Sequence, residues 1–131
     1  MEIGMVGLGR MGANMVRRLM AGGHRCVVFD RSAASVDALV AEGAQGTTSV
    51  EAFVATLAAP RLIWLMVPAG VVDDSIASLV QHLAPGDILV DGGNSNFQDD
   101  LARAERLRDR GVHYIDCGVS GGVWGRERGY C

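Results

Sequence analysis

Met1–Asp30, MEIGMVGLGRMGANMVRRLMAGGHRCVVFD, decides how this chain is read. A short apolar run, Ile3–Val6, leads into Gly7-x-Gly9-x-x-Gly12. A helical pattern follows, and a second apolar run, Cys26–Phe29, ends in the acid Asp30. Strand, glycine turn, helix, strand and acid, in that order, make a βαβ unit suited to a dinucleotide. The glycine spacing alone would carry little, because 18 of the 131 residues are glycine. The flanking elements and Asp30 supply the weight.

Each position has a physical task. Gly7 lets the chain turn sharply out of the strand. Gly9, without a Cβ, lets a pyrophosphate approach the backbone, and Gly12 lets the helix pack closely on the sheet. The helix opening near Arg10 offers unpaired N–H groups and a partial positive charge. The turn Gly7-Leu8-Gly9-Arg10-Met11-Gly12 is therefore the expected cofactor cradle, with Asp30, Arg31 and Ser32 beside it. Asp30 accepts from the adenosine ribose hydroxyls in this reading; its alternative task, capping the helix that starts near Ser32, is compatible with the first. The absence of G-x-x-x-x-G-K-[ST] sets aside a P-loop nucleotidase. A methyltransferase stays open on this stretch alone.

Outward from that unit, 131 residues make one domain with room for a core. Hydrophobic residues are 49% and charged residues 21%, with a net charge of −3, which argues against a nucleic-acid surface or an acidic disordered tail. The longest apolar run, Leu62–Val67, has the length of a core strand and falls far short of the roughly 18–20 residues of a membrane span. Met1 runs straight into the first strand, so no signal peptide is expected. Cys26, Cys117 and Cys131 are odd in number and lack metal-type spacing. Cys26 and Cys117 fall in expected strands and read as buried small hydrophobes. A reducing cytoplasm fits, with no resident metal and neither nucleic acid nor membrane as partner.

Further along, helices and strands alternate. A helix is expected over 10–21, stopped by Gly22-Gly23. A second runs from Ser32 to about Glu42, with Val36, Leu39 and Val40 inward, and a short edge strand falls at Gln45–Thr47. A third helix, capped by Ser49, reaches about Ala58. Arg61–Met66 is almost wholly apolar and reads as a strand buried on both faces. After Val67-Pro68-Ala69-Gly70 come a helix over 71–82, a strand at Ile88–Val90, the loop Asp91–Asn96 and a charged helix over 98–110, with Leu101, Ala104, Leu107 and Arg108 at helical spacing. Val112–Cys117 reads as a sixth strand, and residues 118–131 show no clear element. The architecture expected is α/β, a Rossmann-type doubly wound, mostly parallel sheet with helices on both faces. Ligands then sit beyond the carboxyl ends of the strands, at loops 7–12, 30–32, 67–70, 91–96 and 118–122.

With Asp91-Gly92-Gly93-Asn94-Ser95 and Gly118-Val119-Ser120-Gly121-Gly122 added to the glycine turn, all 131 residues resemble the amino-terminal domain of 6-phosphogluconate dehydrogenase, particularly its shorter bacterial forms. The chain is more distantly similar to the β-hydroxyacid dehydrogenases, such as 3-hydroxyisobutyrate dehydrogenase, whose corresponding loops read differently. A methyltransferase has no use for these loops. The resemblance implies oxidative decarboxylation of 6-phosphogluconate to ribulose 5-phosphate and CO2, with hydride passing to NAD or NADP, in the pentose phosphate pathway. Asn94 matches the loop asparagine that contacts the sugar acid and lies near the nicotinamide. Ser120, Gly121 and Gly122 match the loop that holds the substrate carboxylate. Val67, Pro68 and Ala69 match the segment bordering the nicotinamide half of the cofactor. An amide offers both donor and acceptor to a polyol, and free N–H groups in a Ser-Gly-Gly turn can receive a carboxylate. Read alone, Asn94-Ser95-Asn96 would be a turn and helix cap, and Ser120–Gly122 a flexible linker.

Two departures matter. Many NADP-preferring members carry a neutral residue and then Arg-Thr where this chain has Asp30-Arg31-Ser32. A carboxylate facing a 2′-phosphate sets like charges together, so NAD is the expected cofactor, with Arg31 as a partial rescue for NADP. The family's catalytic lysine and phosphate-binding arginines lie on a helical domain beyond residue 131, and this chain has no lysine at all. The chain reads as a fragment truncated at its carboxyl end, able to bind dinucleotide without turnover. The full-length parent is expected to be a homo-oligomer. A non-catalytic NAD-binding module is the competing reading from another class. His24, His82 and His113 are scattered, and none is assigned catalysis.

Overall fold

β1 (Glu2–Val6) occupies the centre of the sheet because its residues, apart from Glu2, are buried on both faces. It pairs in parallel with β2 (Arg25–Phe29), in register from Glu2↔Arg25 to Val6↔Phe29. On its other side it pairs with β4 (Leu62–Leu65), from Gly4↔Ile63 to Val6↔Leu65. With β3 (Gln45–Gly46), β5 (Ile88–Asp91) and β6 (His113–Asp116) the order is β3-β2-β1-β4-β5-β6, and every pairing is parallel. The crossover from the β1–β3 half to the β4–β6 half therefore opens between β1 and β4, where such sheets bind ligands. The computed structural model describes residues 1–131, the side chain of Val123 excepted.

Alternate strand residues face opposite sides, and two cores result. Val6, Val27, Ile63, Leu65 and Leu89 pack under α3 (Val50–Thr56), α4 (Val72–Val80) and α5 (Phe97–Arg108), against Phe53, Ile76, Leu79 and Leu107. Met5, Cys26 and Val28 pack under α1 (Arg10–Ala21) and α2 (Ala33–Ala41), against Met15, Val16, Val36 and Leu39. Helix starts follow local chemistry. Ser32, Ser49 and Asn96 cap α2, α3 and α5 by accepting from Ser35, Ala52 and Gln98 N–H.

Four expectations are corrected. Val40 is 45% exposed and Leu101 63% exposed; each helix offers the sheet a narrower stripe than apolar spacing suggests. On α5 the buried positions are Asp100, Arg103 and Leu107, because paired charges there do the work of apolar residues. β4 is fully buried on one face only: Ile63 and Leu65 are inaccessible, while Leu62 and Trp64 are half-covered. Cys117 lies past the end of β6 and is half-buried, unlike Cys26. The tail is structured, with a 3-10 turn at Gly122–Trp124 and a short helix, α6 (Gly125–Arg128), that packs on α1. Arg18 donates to the carbonyls of Arg126 and Glu127. Such long-range ties leave no periodicity to read.

Candidate functional site

The glycine turn is built as its spacing demands. Gly7 has φ 92°, a conformation that favours glycine, and a Cβ there would crowd the Met66 carbonyl. A Cβ on Gly12 would overlap the Gly7 carbonyl oxygen, so α1 reaches the sheet edge only without one. A Cβ on Gly9 would meet nothing within 4 Å; its open side is the space into which a pyrophosphate fits. Gly9 caps α1 with backbone alone, its carbonyl accepting from Ala13 N–H at 2.9 Å. The N–H groups of Arg10, Met11 and Gly12 thus lack carbonyl partners within the helix, and no acid in the first turn neutralises them. An anion is what that end of α1 suits.

Asp30, just past β2, does not cap α2, a task that falls to Ser32; it instead accepts from two backbone N–H groups. Its Oδ2 accepts from Leu8 N–H at 2.6 Å, and its Oδ1 from Ser32 N–H at 2.8 Å. It pins the glycine turn to β2 while remaining on the wall of the cleft. A carboxylate has roughly four lone-pair sites, so capacity remains for ribose hydroxyls.

The cleft holds about 950 Å³, at the upper end of small-ligand sites. Gly7, Gly9, Arg10, Met11, Gly12, Asp30, Arg31, Val67, Pro68, Ala69 and Asn94 all line it. Four of the five loops singled out by the sheet rule therefore meet in one place, and the fifth contributes Val119. Leu8 is 5% exposed and turned into the core. Ser32 acts as the α2 cap. Ser120, Gly121 and Gly122 stand outside the cleft wall. Ser120 N–H, expected to be free for a carboxylate, donates to the Cys131 carbonyl at 2.6 Å, because the tail returns and pairs with it. The outer wall comes from residues that sequence reasoning missed: Phe29, Val71, Asp74, Ser75, Ser78 and Leu79. Their signal was available, since α4 follows β4 at the switch between sheet halves. Trp124 is 60% exposed with the Arg128 guanidinium 5.4 Å over its ring.

A dinucleotide fits these residues: open backbone at Gly9, free N–H groups at the head of α1, and an acid beside the turn. Among the described residues, no group of three His, Cys, Asp or Glu is placed to hold a metal ion. Among the described residues, no helix is long and apolar enough to cross a membrane.

Known proteins agree with this geometry. The NAD(+)-dependent decarboxylating 6-phosphogluconate dehydrogenase of Haloferax volcanii is 45% identical over 131 residues, 99% of this chain and 43% of that protein. The solved 6-phosphogluconate dehydrogenase of Plasmodium falciparum, described with NADP+ and with 6-phosphogluconate, superimposes with a TM-score of 0.92 at 29% identity, over 99% of this chain and 29% of that one. The 3-hydroxyisobutyrate dehydrogenase of Mycobacterium tuberculosis gives 0.85 at 26% identity, over 95% of this chain and 42% of that one. The chain spans less than half the length of the curated relatives it matches. A family model described as the NAD binding domain of 6-phosphogluconate dehydrogenase matches residues 2–131, and this chain belongs to that family.

Proposed function

We propose that the chain supplies the cofactor half and part of the substrate site of a decarboxylating 6-phosphogluconate dehydrogenase that prefers NAD. The observation that carries this reading is the meeting of the glycine turn and Asn94 in one cleft. When bound, the nicotinamide supplies the hydride acceptor for oxidation of the sugar acid. The N–H groups of Arg10, Met11 and Gly12 hold the pyrophosphate, and Asp30 faces the adenosine ribose with Arg31 and Ser32 beside it. Val67, Pro68 and Ala69 border the nicotinamide half. Asn94 lies near the nicotinamide and donates to and accepts from the polyol. The Ser120–Gly122 segment, whose Ser120 N–H is already taken by the Cys131 carbonyl, serves the substrate carboxylate through its other groups. The oxidation needs a base for the C3 hydroxyl. No lysine is present to act as one, so residues 1–131 bind dinucleotide without turnover. The longer parent is a cytoplasmic homo-oligomer in this reading. The motifs Asp91–Ser95 and Gly118–Gly122 favour it over a β-hydroxyacid dehydrogenase acting on a smaller acid.

Calorimetric titration with NADH and NADPH tests the preference. NADH should bind at least about tenfold more tightly, a difference of about 1.4 kcal/mol, and the reverse order would overturn it. Asp30→Ala should narrow the ratio while weakening both cofactors, because the same carboxylate anchors Leu8 N–H. NADH formation from 6-phosphogluconate by residues 1–131 would refute the expected lack of turnover.

A further inference from the structure

Beneath the Asp91–Ser95 loop lies a buried polar network that the reading above does not use. Asp91, at the end of β5, is 0% exposed. Its Oδ1 accepts from Gly93 N–H at 2.9 Å, and its Oδ2 accepts from Ser95 Oγ at 2.6 Å. One carboxylate therefore grips the residues on either side of Asn94, while Asn94 itself stays exposed on the cleft wall. The carboxylate is in turn held from below. Tyr114 of β6 places its hydroxyl 3.1 Å from Asp91 Oδ2 and 2.7 Å from Asp100 Oδ1. Arg103 of α5, 3% exposed, sits 3.9 Å from Asp91 and donates to Asp100 at 2.9 Å. It also donates through two nitrogens to Asp73 of α4, at 3.1 and 2.9 Å.

We propose that Asp91 is the positioning residue for Asn94: it sets the backbone that aims the Asn94 amide into the cleft, with Ser95, Tyr114 and Arg103 holding Asp91 in place. A buried carboxylate is costly unless its lone pairs are filled and a cation is near, and here both conditions are met around a five-residue loop. A loop needing only a turn would do so with a surface Asx motif; burial of the acid under two further elements fixes the loop as a rigid platform. Two discrete grips, on Gly93 N–H and Ser95 Oγ, restrain the loop on both sides of Asn94, which is what ordering a binding loop without touching the ligand requires. The inference rests on the reading that Asn94 meets the nicotinamide end of the bound cofactor.

The test compares NADH with ADP-ribose, which reaches the glycine turn but lacks the nicotinamide. Asn94→Ala, Asp91→Asn, Ser95→Ala and Ser95→Thr are titrated with both, and amide hydrogen exchange is followed at Gly93. Asp91→Asn and Ser95→Ala should each weaken NADH at least fivefold and ADP-ribose less than twofold, as Asn94→Ala does. Ser95→Thr, which keeps the hydroxyl, should restore NADH binding, and Gly93 should exchange at least tenfold faster in Asp91→Asn. Equal weakening of both ligands, or a slow Gly93 amide with unchanged NADH binding while Asn94→Ala weakens it, would overturn the inference and leave the reading of Asn94 standing. No effect of Asn94→Ala on NADH would overturn that reading and the inference with it. Should Asp91→Asn fail to fold, the Ser95 pair decides.

Discussion

Gly9 and Gly12 stand three residues apart in one turn, and alanine at each should fail in opposite ways. At Gly12 a Cβ would overlap the Gly7 carbonyl oxygen and lie 3.2 Å from both Gly7 C and Met66 Cβ. Two of those atoms are backbone and cannot swing aside, so α1 must retreat by about 1 Å, a gap that forfeits about a quarter to a half of each dispersion contact it opens. Met15 and Val16, buried on the same helix, would lose contacts with the sheet. Overpacking of this kind costs about 1–3 kcal/mol, and the better helix propensity of alanine returns at most about 1 kcal/mol. A net loss of about 1–2 kcal/mol follows, or a fall in Tm of about 4–8 °C for a domain of this size. At Gly9 the new methyl meets nothing within 4 Å, and φ −60°, ψ −178° suits alanine. Only the weaker helix-capping preference of alanine is lost, under about 1 kcal/mol. The methyl does occupy the approach of the pyrophosphate. Displacing it from even one charge-assisted N–H contact costs about 2 kcal/mol, roughly thirtyfold in affinity. The assay is paired: thermal unfolding of the free protein and calorimetric titration with NADH. Gly12→Ala should lose stability, while Gly9→Ala should lose less of it and lose NADH binding. A Gly9→Ala protein that melts as early as Gly12→Ala, or one that binds NADH as tightly as the parent, would refute the reasoning.

Asp87, 1% exposed at the start of β5, accepts from Arg61 N–H, Ala84 N–H and the Arg61 guanidinium. Burial alone would raise its pKa, but these bonds outweigh that and hold it below the usual carboxylate range. Asp87→Ala should cost about 3 kcal/mol in urea unfolding, and a loss under about 1 kcal/mol would show that the peg is not structural. Asp73 is held down to about 2 by hydrogen bonding to Arg103, with burial opposing and Arg106 adding to it. A depressed folded pKa contributes stability above the unfolded value of 3.8 and loses it as pH falls through about 2. Because Asp73 is 58% exposed, the contribution should stay within about 1 kcal/mol. The stability gap between the parent and Asp73→Asn should therefore be constant above pH 5 or so and close toward pH 2; a gap that widens on acidification would contradict the pairing.

Most of the fold was legible because its signals are local. Apolar runs of strand length, serine caps and glycine stops depend on neighbours in the chain, and they placed the five longer strands and five helices within a few residues. Where reading failed, the cause was distance. Val40 and Leu101 have the spacing of inward residues, but how wide a helical stripe is buried depends on the sheet beneath it. Arg103 and Asp100 look like part of a solvated face and are buried because Asp73, Asp91 and Tyr114 come to meet them from three other elements.

The same division runs through the site. The glycine spacing, the acid after β2 and the order of strands and helices specified a dinucleotide cradle by themselves, since a turn without Cβ atoms and a helix head are properties of a short stretch. Tertiary structure decided which residues of the expected loops share that cradle. It set Asn94 and Val119 in the same cleft as the glycine turn, added α4 to the wall, and drew Ser120 into pairing with the tail. It also gave Asp30 its second bond, to Leu8. Those outcomes depend on how the sheet halves, α4 and the tail come together in space, and no local pattern records that meeting.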